Sequence, residues 1–155
     1  MEKRIVKKYD RNELVNKKIS SFENRFMSNS KWKRLFLTLF ENIDIVKLCE
    51  VRDFFNPCFI FITTDLQSID YGKHVHNECI DKILLDNSLD GGDACYYREI
   101  EYLEFLKYWK GGKFGRLMTP KIIYQDTNKI KEIISKIGKF ELEETEEYLR
   151  VIGYK

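Results

Sequence analysis

The chain has 155 residues, of which 43% are hydrophobic and 34% are charged, with a net charge of +2 at pH 7. This length and composition are typical of one globular domain and argue against intrinsic disorder. The longest uncharged run, residues 54–64, is too short to span a bilayer as a helix, and no apolar run follows the basic N-terminus. We therefore expect a cytoplasmic protein without membrane association, whose four widely spaced cysteines are reduced.

The first third of the chain predicts two helices. Residues 1–27 are expected to form a basic N-terminal arm or helix, because the near-helical spacing of Leu14, Ile19, Phe22 and Phe26 predicts a helix over about residues 11–25. Residues 28–155 are expected to form a single α+β domain that begins with a helix capped near Ser28. The residues expected on the core-facing side of that helix are Trp32, Leu35, Phe36, Leu39 and Phe40.

The middle of the chain predicts strands. Apolar residues alternate loosely with polar ones over residues 43–52, which indicates a strand, and a turn is expected at Pro57. The aromatic and β-branched run at residues 59–64 is typical of a central strand. Residues 77–87 fit either a short helix or two extended pieces. The strand around which we expect the chain to be organised is Tyr96–Leu106, where charged and apolar residues alternate and the phase changes at Tyr102–Leu103.

The last third predicts a hairpin, a helix and two more strands. Glycines at 111, 112 and 115 indicate a hairpin connection that returns at residues 117–124. Asp126 or Thr127 is expected to cap a helix that ends at Gly138, and residues 140–145 and 148–154 read as extended. The sum is an α+β fold: a mainly antiparallel sheet, N-terminal helices and one late helix packed on it.

The charge is unevenly distributed along the chain. Residues 1–40 hold 11 Lys/Arg against 4 Asp/Glu, whereas residues 41–106 hold 5 against 14. The acidic block predicts a surface that attracts a basic protein partner, with tyrosine rings as contacts. The alternative is that the carboxylates only solvate the sheet and the tyrosines fill the core. The residues predicted to bind the partner are Asp81, Asp86, Asp90, Asp93, Glu99, Glu101 and Tyr97, with Tyr96 and Tyr102 as further rings.

Signals for catalysis, metal or nucleic acid are weak. His74, His76 and Cys79 have zinc-compatible spacing, with Cys58, Asp81 or Cys95 as a possible fourth ligand, which leaves a small metal-binding enzyme as an alternative. The basic N-terminus leaves nucleic-acid binding as another, but Trp32 belongs to an apolar stripe and is not expected to stack on bases. The sequence therefore predicts no catalytic residue, no metal, no cofactor, and nucleic acid as an unlikely partner.

Three segments carry a resemblance to known proteins. They are Ile134–Tyr154, Ser30–Phe36 and Arg98–Phe105, and together they cover about a third of the chain. They are similar to a family of small bacterial domains that resemble the immunity proteins of toxin systems, including contact-dependent inhibition. The resemblance implies a cytoplasmic single domain without catalytic residues, which binds and neutralises one cognate toxin domain. It assigns no site residue.

Overall fold

The computed structural model describes residues 10–42, 44–55, 57–61, 73–74, 96–110 and 122–155. Within these ranges the chain has an α+β fold with three α-helices and eight strands. The helices are α1 (Arg11–Ser20), α2 (Asn29–Glu41) and α3 (Thr127–Ile137). The strands are β1 (Cys49–Asp53), β2 (Pro57–Phe61), β3 (Lys73–His74), β4 (Ile100–Leu106), β5 (Tyr108–Lys110), β6 (Ile122–Tyr124), β7 (Leu142–Glu144) and β8 (Tyr148–Ile152).

Six of these strands form one sheet in the order β3-β2-β1-β4-β8-β7. Every neighbouring pair is antiparallel except β2 and β3, which are parallel. The predicted α+β class is therefore confirmed, and β4 lies in the middle of the sheet. β5 and β6 pair only with each other, as a separate antiparallel ribbon, called the ribbon below.

The core lies between one face of the sheet and helices α2 and α3. The five apolar residues predicted for α2 are all buried, and the Ser28 hydroxyl accepts a hydrogen bond from the Lys31 amide at 3.2 Å, so the predicted cap is confirmed. Asp126 caps α3 in the same way. We call this sheet face the inner face and the opposite one the outer face. The inner face contributes Cys49, Val51, Leu103, Phe105, Leu149 and Val151 to the core.

Helix α1 differs from the predicted helix in its length and in the residue that it buries. Helix α1 ends at Ser20, and its buried residue is Val15, whereas the predicted Leu14 is 40% exposed. Residues 21–27 are joined to the end of the chain: the Asn24 amide donates to the Lys155 carbonyl at 2.9 Å, and the Lys155 amide donates back to Asn24 at 3.1 Å. This part of the predicted arm is thus built into the domain, because its backbone pairs with the C-terminal segment.

The central strand starts later than predicted and contains the expected irregularity. Residues Tyr97–Glu99 form a 3-10 turn, and β4 begins at Ile100. Arg52 pairs with Tyr102 and Asp53 with Ile100, so Glu101 is an extra residue on β4. Such an extra residue is a β-bulge, and it explains why the alternation changes phase near this position.

Candidate interaction surface on the outer face of the sheet

Charged side chains form a row across the outer face. Glu50 on β1 stands opposite Glu104 on β4, Glu104 stands opposite Arg150 on β8, and Arg150 stands opposite Glu143 on β7. Side chains that are directly opposite on neighbouring strands are in contact range, so these four groups interact across four strands. The row therefore places one guanidinium among three carboxylates.

Arg150 is held in place on all sides. Its Nε donates to Glu104 Oε2 at 2.5 Å and its Nη1 donates to Glu143 Oε1 at 3.4 Å. The ring centroids of Tyr148 and Tyr102 lie 4.1 Å and 4.3 Å from the guanidinium carbon. Cation–π contacts thus act together with the charge-assisted hydrogen bonds at its edges. Burial alone would lower the pKa of Arg150, but the hydrogen bond and the charge of Glu104 outweigh it and raise the pKa.

The carboxylates of the row are not equivalent. Glu104 is only 7% exposed and is neutralised by Arg150. Partial burial, followed by repulsion from Glu104, raises the pKa of Glu50. The hydroxyl of Tyr148 donates to Glu143 at 3.0 Å, and this hydrogen bond raises the pKa of Tyr148. The outer face therefore presents two fixed rings and a cation surrounded by negative charge.

The turn between β7 and β8 adds acidic side chains at the edge of the sheet. Residues 141–147, which we call the acidic hairpin, contain five glutamates. Glu144 is paired with Lys131 at 3.1 Å and Lys107 at 3.5 Å, and the hydrogen bond from Lys131 is the main reason that its pKa is lowered. Glu146 and Glu147 are exposed. This exposed acidic surface comes from the C-terminal part of the chain rather than from the block at residues 41–106.

Two of the predicted partner-binding residues are not at the surface. Tyr97 has no exposed area and packs 5.7 Å from the Phe36 ring in the core. Glu99 is 2% exposed, and both of its oxygens accept from Arg11, with the Nη2–Oε2 distance at 2.7 Å. The predicted surface placement of Tyr97 and Glu99 is therefore wrong. The cause is the 3-10 turn before β4, which directs both side chains inward.

The other predicted site residues divide into two groups. Glu101 and the further rings Tyr96 and Tyr102 are partly exposed. The remaining predicted acids lie outside the described residues: Asp81, Asp86, Asp90 and Asp93. Tyr102 therefore belongs to the outer face. Of the predicted acids, the structure describes only Glu99 and Glu101.

The residues of the predicted zinc alternative lie largely outside the described ranges. For His74 only the backbone in β3 is described, and His76 and Cys79 lie outside. Among the described side chains, no group of three or more His, Cys, Asp or Glu residues could hold a metal ion. Cys49 is a free thiol, as expected for that cysteine, and burial raises its pKa.

Sequence reasoning missed Arg150, Glu143 and Tyr148. One signal was present, since Tyr148, Arg150 and Ile152 alternate with Leu149 and Val151 and so share one strand face. The pairing that brings Arg150 to Glu104 spans 46 positions and depends on the register of β8 against β4. No local pattern fixes that register.

Comparison of the chain with protein-family models, with curated proteins and with solved structures gave no match. Within the described residues, no helix is both long enough and apolar enough to cross a membrane.

Proposed function

We propose that the chain is an immunity (antitoxin-type) protein, which binds a cognate bacterial toxin domain and neutralises it, and that the outer face of the sheet contacts the toxin. The observation that carries the proposal is the stack of Tyr102, Arg150 and Tyr148. Tyrosine and arginine are, with tryptophan, the side chains enriched among residues that dominate binding energy at protein interfaces. Here they occur together, partly exposed, on two paired strands.

Preorganisation supports a binding role for this stack. A flexible arginine loses rotamer entropy when a partner immobilises it, which weakens the complex. Arg150 is already immobilised by two carboxylates and two rings, so little further entropy is lost on association. The sheet backbone beneath it is equally fixed, because β4 and β8 each have a neighbour on both sides.

The acidic hairpin supports a basic partner. It lies beside the stack, since its Glu143 accepts hydrogen bonds from Arg150 and Tyr148, and it carries exposed carboxylates at Glu146 and Glu147. A cluster of negative charge speeds the encounter with a positively charged surface and orients it. Rapid and specific association is what a toxin-neutralising protein requires, because free toxin acts until it is bound.

The first experiment tests the partner. The reading frame immediately upstream of this gene should encode the C-terminal toxin domain of a large exported protein. Co-expression of this chain should restore growth to cells that produce that domain, and the two purified proteins should form a complex by calorimetry. No protection and no complex would refute the proposed function.

The second experiment tests the surface. Tyr148→Ala should raise the Kd for the toxin domain at least about tenfold, because it removes one ring of the stack. Tyr124→Ala is the matched control, since it removes an exposed tyrosine from the ribbon, and it should leave the Kd within about twofold. An equal loss in both variants would show that the outer face is not the interface.

A further inference from the structure

The ribbon exposes an aromatic and apolar surface that the proposed function does not use. Tyr108 pairs with Tyr124 and Lys110 with Ile122, so these four positions share one face of the ribbon. Tyr108 is 49% exposed, Ile122 52% and Tyr124 64%. The two tyrosine rings lie 6.4 Å apart at 47° to one another. Two large rings therefore stand side by side with about half or more of their surface open to solvent.

The base of the ribbon is fixed to the main sheet by one buried side chain. Gln125 Oε1 accepts from the Lys47 amide at 3.1 Å and from the Leu48 amide at 3.3 Å. Its Nε2 donates to the carbonyls of Leu48 at 2.9 Å and Leu106 at 2.6 Å. An isolated two-stranded ribbon is marginally stable in water, so this anchor explains how the rings can be held in place while one face stays open.

The charged residues of the segment that contains the ribbon are all basic. Residues 107–125 contain five Lys or Arg and no Asp or Glu. Lys47 reaches the ribbon from outside this segment, with its Nζ donating to the Tyr124 carbonyl at 3.2 Å. Lys107 is engaged with Glu144 at 3.5 Å, and the backbone pairing puts position 110, a lysine, in register with Ile122. The exposed rings thus lie in a segment whose charged residues are all basic.

We propose that this ribbon face binds single-stranded nucleic acid, with Tyr108 and Tyr124 as the stacking platform for two bases. Aromatic side chains stack on any base, and neighbouring cations contact the phosphates, so the recognition needs no sequence preference. Bases of a duplex are already stacked on each other and are not open to the rings. The basic N-terminus is not needed for this site, which differs from the predicted one and changes the expectation that nucleic acid is an unlikely partner.

The charge pattern favours this ligand over a protein. A protein interface is typically depleted of charged residues at its core, whereas residues 107–125 supply five Lys or Arg and no acid from their own sequence. A nucleic acid offers planar rings and regularly spaced anions in one strand, which matches the ribbon in both respects.

The test is a titration of the full chain into a labelled oligothymidylate of about 12 nucleotides, followed by fluorescence anisotropy. Binding should be saturable at low salt, weaker for the corresponding duplex, and reduced about 5- to 100-fold by Tyr124→Ala. Tyr124→Phe keeps the ring and should bind within about twofold of the wild type. Tyr108→Ala is the second variant, which should also weaken binding and keeps the test informative if Tyr124→Ala does not fold.

The controls separate stacking from simple attraction of charge. Phe55 is an exposed ring elsewhere, at 44% exposure, and Phe55→Ala should leave the affinity unchanged. Lys47→Gln should reduce the slope of log K against log salt concentration by about one, as expected for the loss of one phosphate contact. Lys136→Gln on α3 should leave this slope unchanged. Absence of binding at low salt, equal binding of the duplex, or equal effects of Phe55→Ala and Tyr124→Ala would overturn the proposal. A loss of toxin binding in Tyr124→Ala, with oligonucleotide binding intact, would also overturn it.

Discussion

The outer face and the ribbon both carry a pair of tyrosines, but their surroundings differ. On the outer face, Tyr102 and Tyr148 enclose Arg150, which is bonded to carboxylates. On the ribbon, Tyr108 and Tyr124 contact each other, in a segment without a single acid. Under our two proposals the same type of ring serves opposite kinds of partner, because the charge beside the ring decides which partner is attracted.

The largest effect is expected on the outer face itself. Arg150→Ala leaves the carboxylate of Glu104, which is 7% exposed, without its counter-charge. We expect the free energy of unfolding to fall by about 2–4 kcal/mol, measured by urea denaturation, because breaking a buried ion pair leaves an uncompensated charge. The double variant Arg150→Met with Glu104→Leu should recover most of this loss. A loss below about 0.5 kcal/mol would show that the pair is a weak surface contact.

A smaller effect is expected at the second buried carboxylate of the central strand region. Arg11→Ala removes the partner of Glu99, but the Arg11 side chain is 53% exposed, so water can approach the carboxylate once it is gone. We expect a loss of about 1–2 kcal/mol by the same measurement. Lys17→Ala, at an exposed position of α1, is the control and should change stability little. If Arg11→Ala lowers the free energy of unfolding more than Arg150→Ala does, the ion pair on the outer face is not the more stabilising of the two.

Glu50→Gln should stabilise the protein at neutral pH by about 0.2–1 kcal/mol, because it removes a like charge directly opposite Glu104. Partial burial and Glu104 raise the pKa of Glu50 above its value in the unfolded chain, so the folded state binds this proton more tightly. Wild-type stability should therefore fall, relative to Glu50→Gln, as the pH rises from the ordinary glutamate pKa through the raised one. Urea titrations from about pH 4 to about pH 7 measure the difference. If the difference in stability between the wild type and Glu50→Gln is constant over this range, the pKa of Glu50 is not raised by folding.

The smallest effect on stability is expected on the ribbon. Tyr124→Ala should change the free energy of unfolding by less than about 0.5 kcal/mol, because the side chain is 64% exposed. Thermal unfolding monitored by circular dichroism checks this. A larger loss would mean that the ring supports the fold, and the contrast between a structural pair and an open pair of tyrosines would disappear.

Local signals were sufficient for two helices and for the class of fold. The apolar stripe of α2 from Trp32 to Phe40, and the cap of α3 at Asp126, are strong patterns within a few residues, and both are confirmed. Helix α1 has a weak stripe, which explains why the spacing of Leu14 and Ile19 does not identify Val15 as the buried residue. Patterns of this kind predict a face only when the apolar and polar sides differ clearly.

The candidate sites depended on contacts that no local pattern contains. Glu99 meets an arginine 88 positions away, and Glu104 meets one 46 positions away. Each pair joins the acidic block to a cation from outside it, so the charge segregation along the sequence is partly cancelled in space. The acidic surface predicted from residues 41–106 stays a prediction, because Asp81, Asp86, Asp90 and Asp93 lie outside the described residues.

The pairing of residues 23–26 with the C-terminal segment has a kinetic consequence. The amides of Glu23 and Asn24 donate to Lys155, and the Phe26 amide donates to Gly153, so nearly the whole chain is enclosed by these contacts. The entropy of closing so long a loop must be overcome before the bonds form, which places them late in folding. We therefore expect residues 23–26 to pair with the C-terminal segment after β8 has joined the sheet, and hydrogen exchange of the Asn24 amide should report on both ends together.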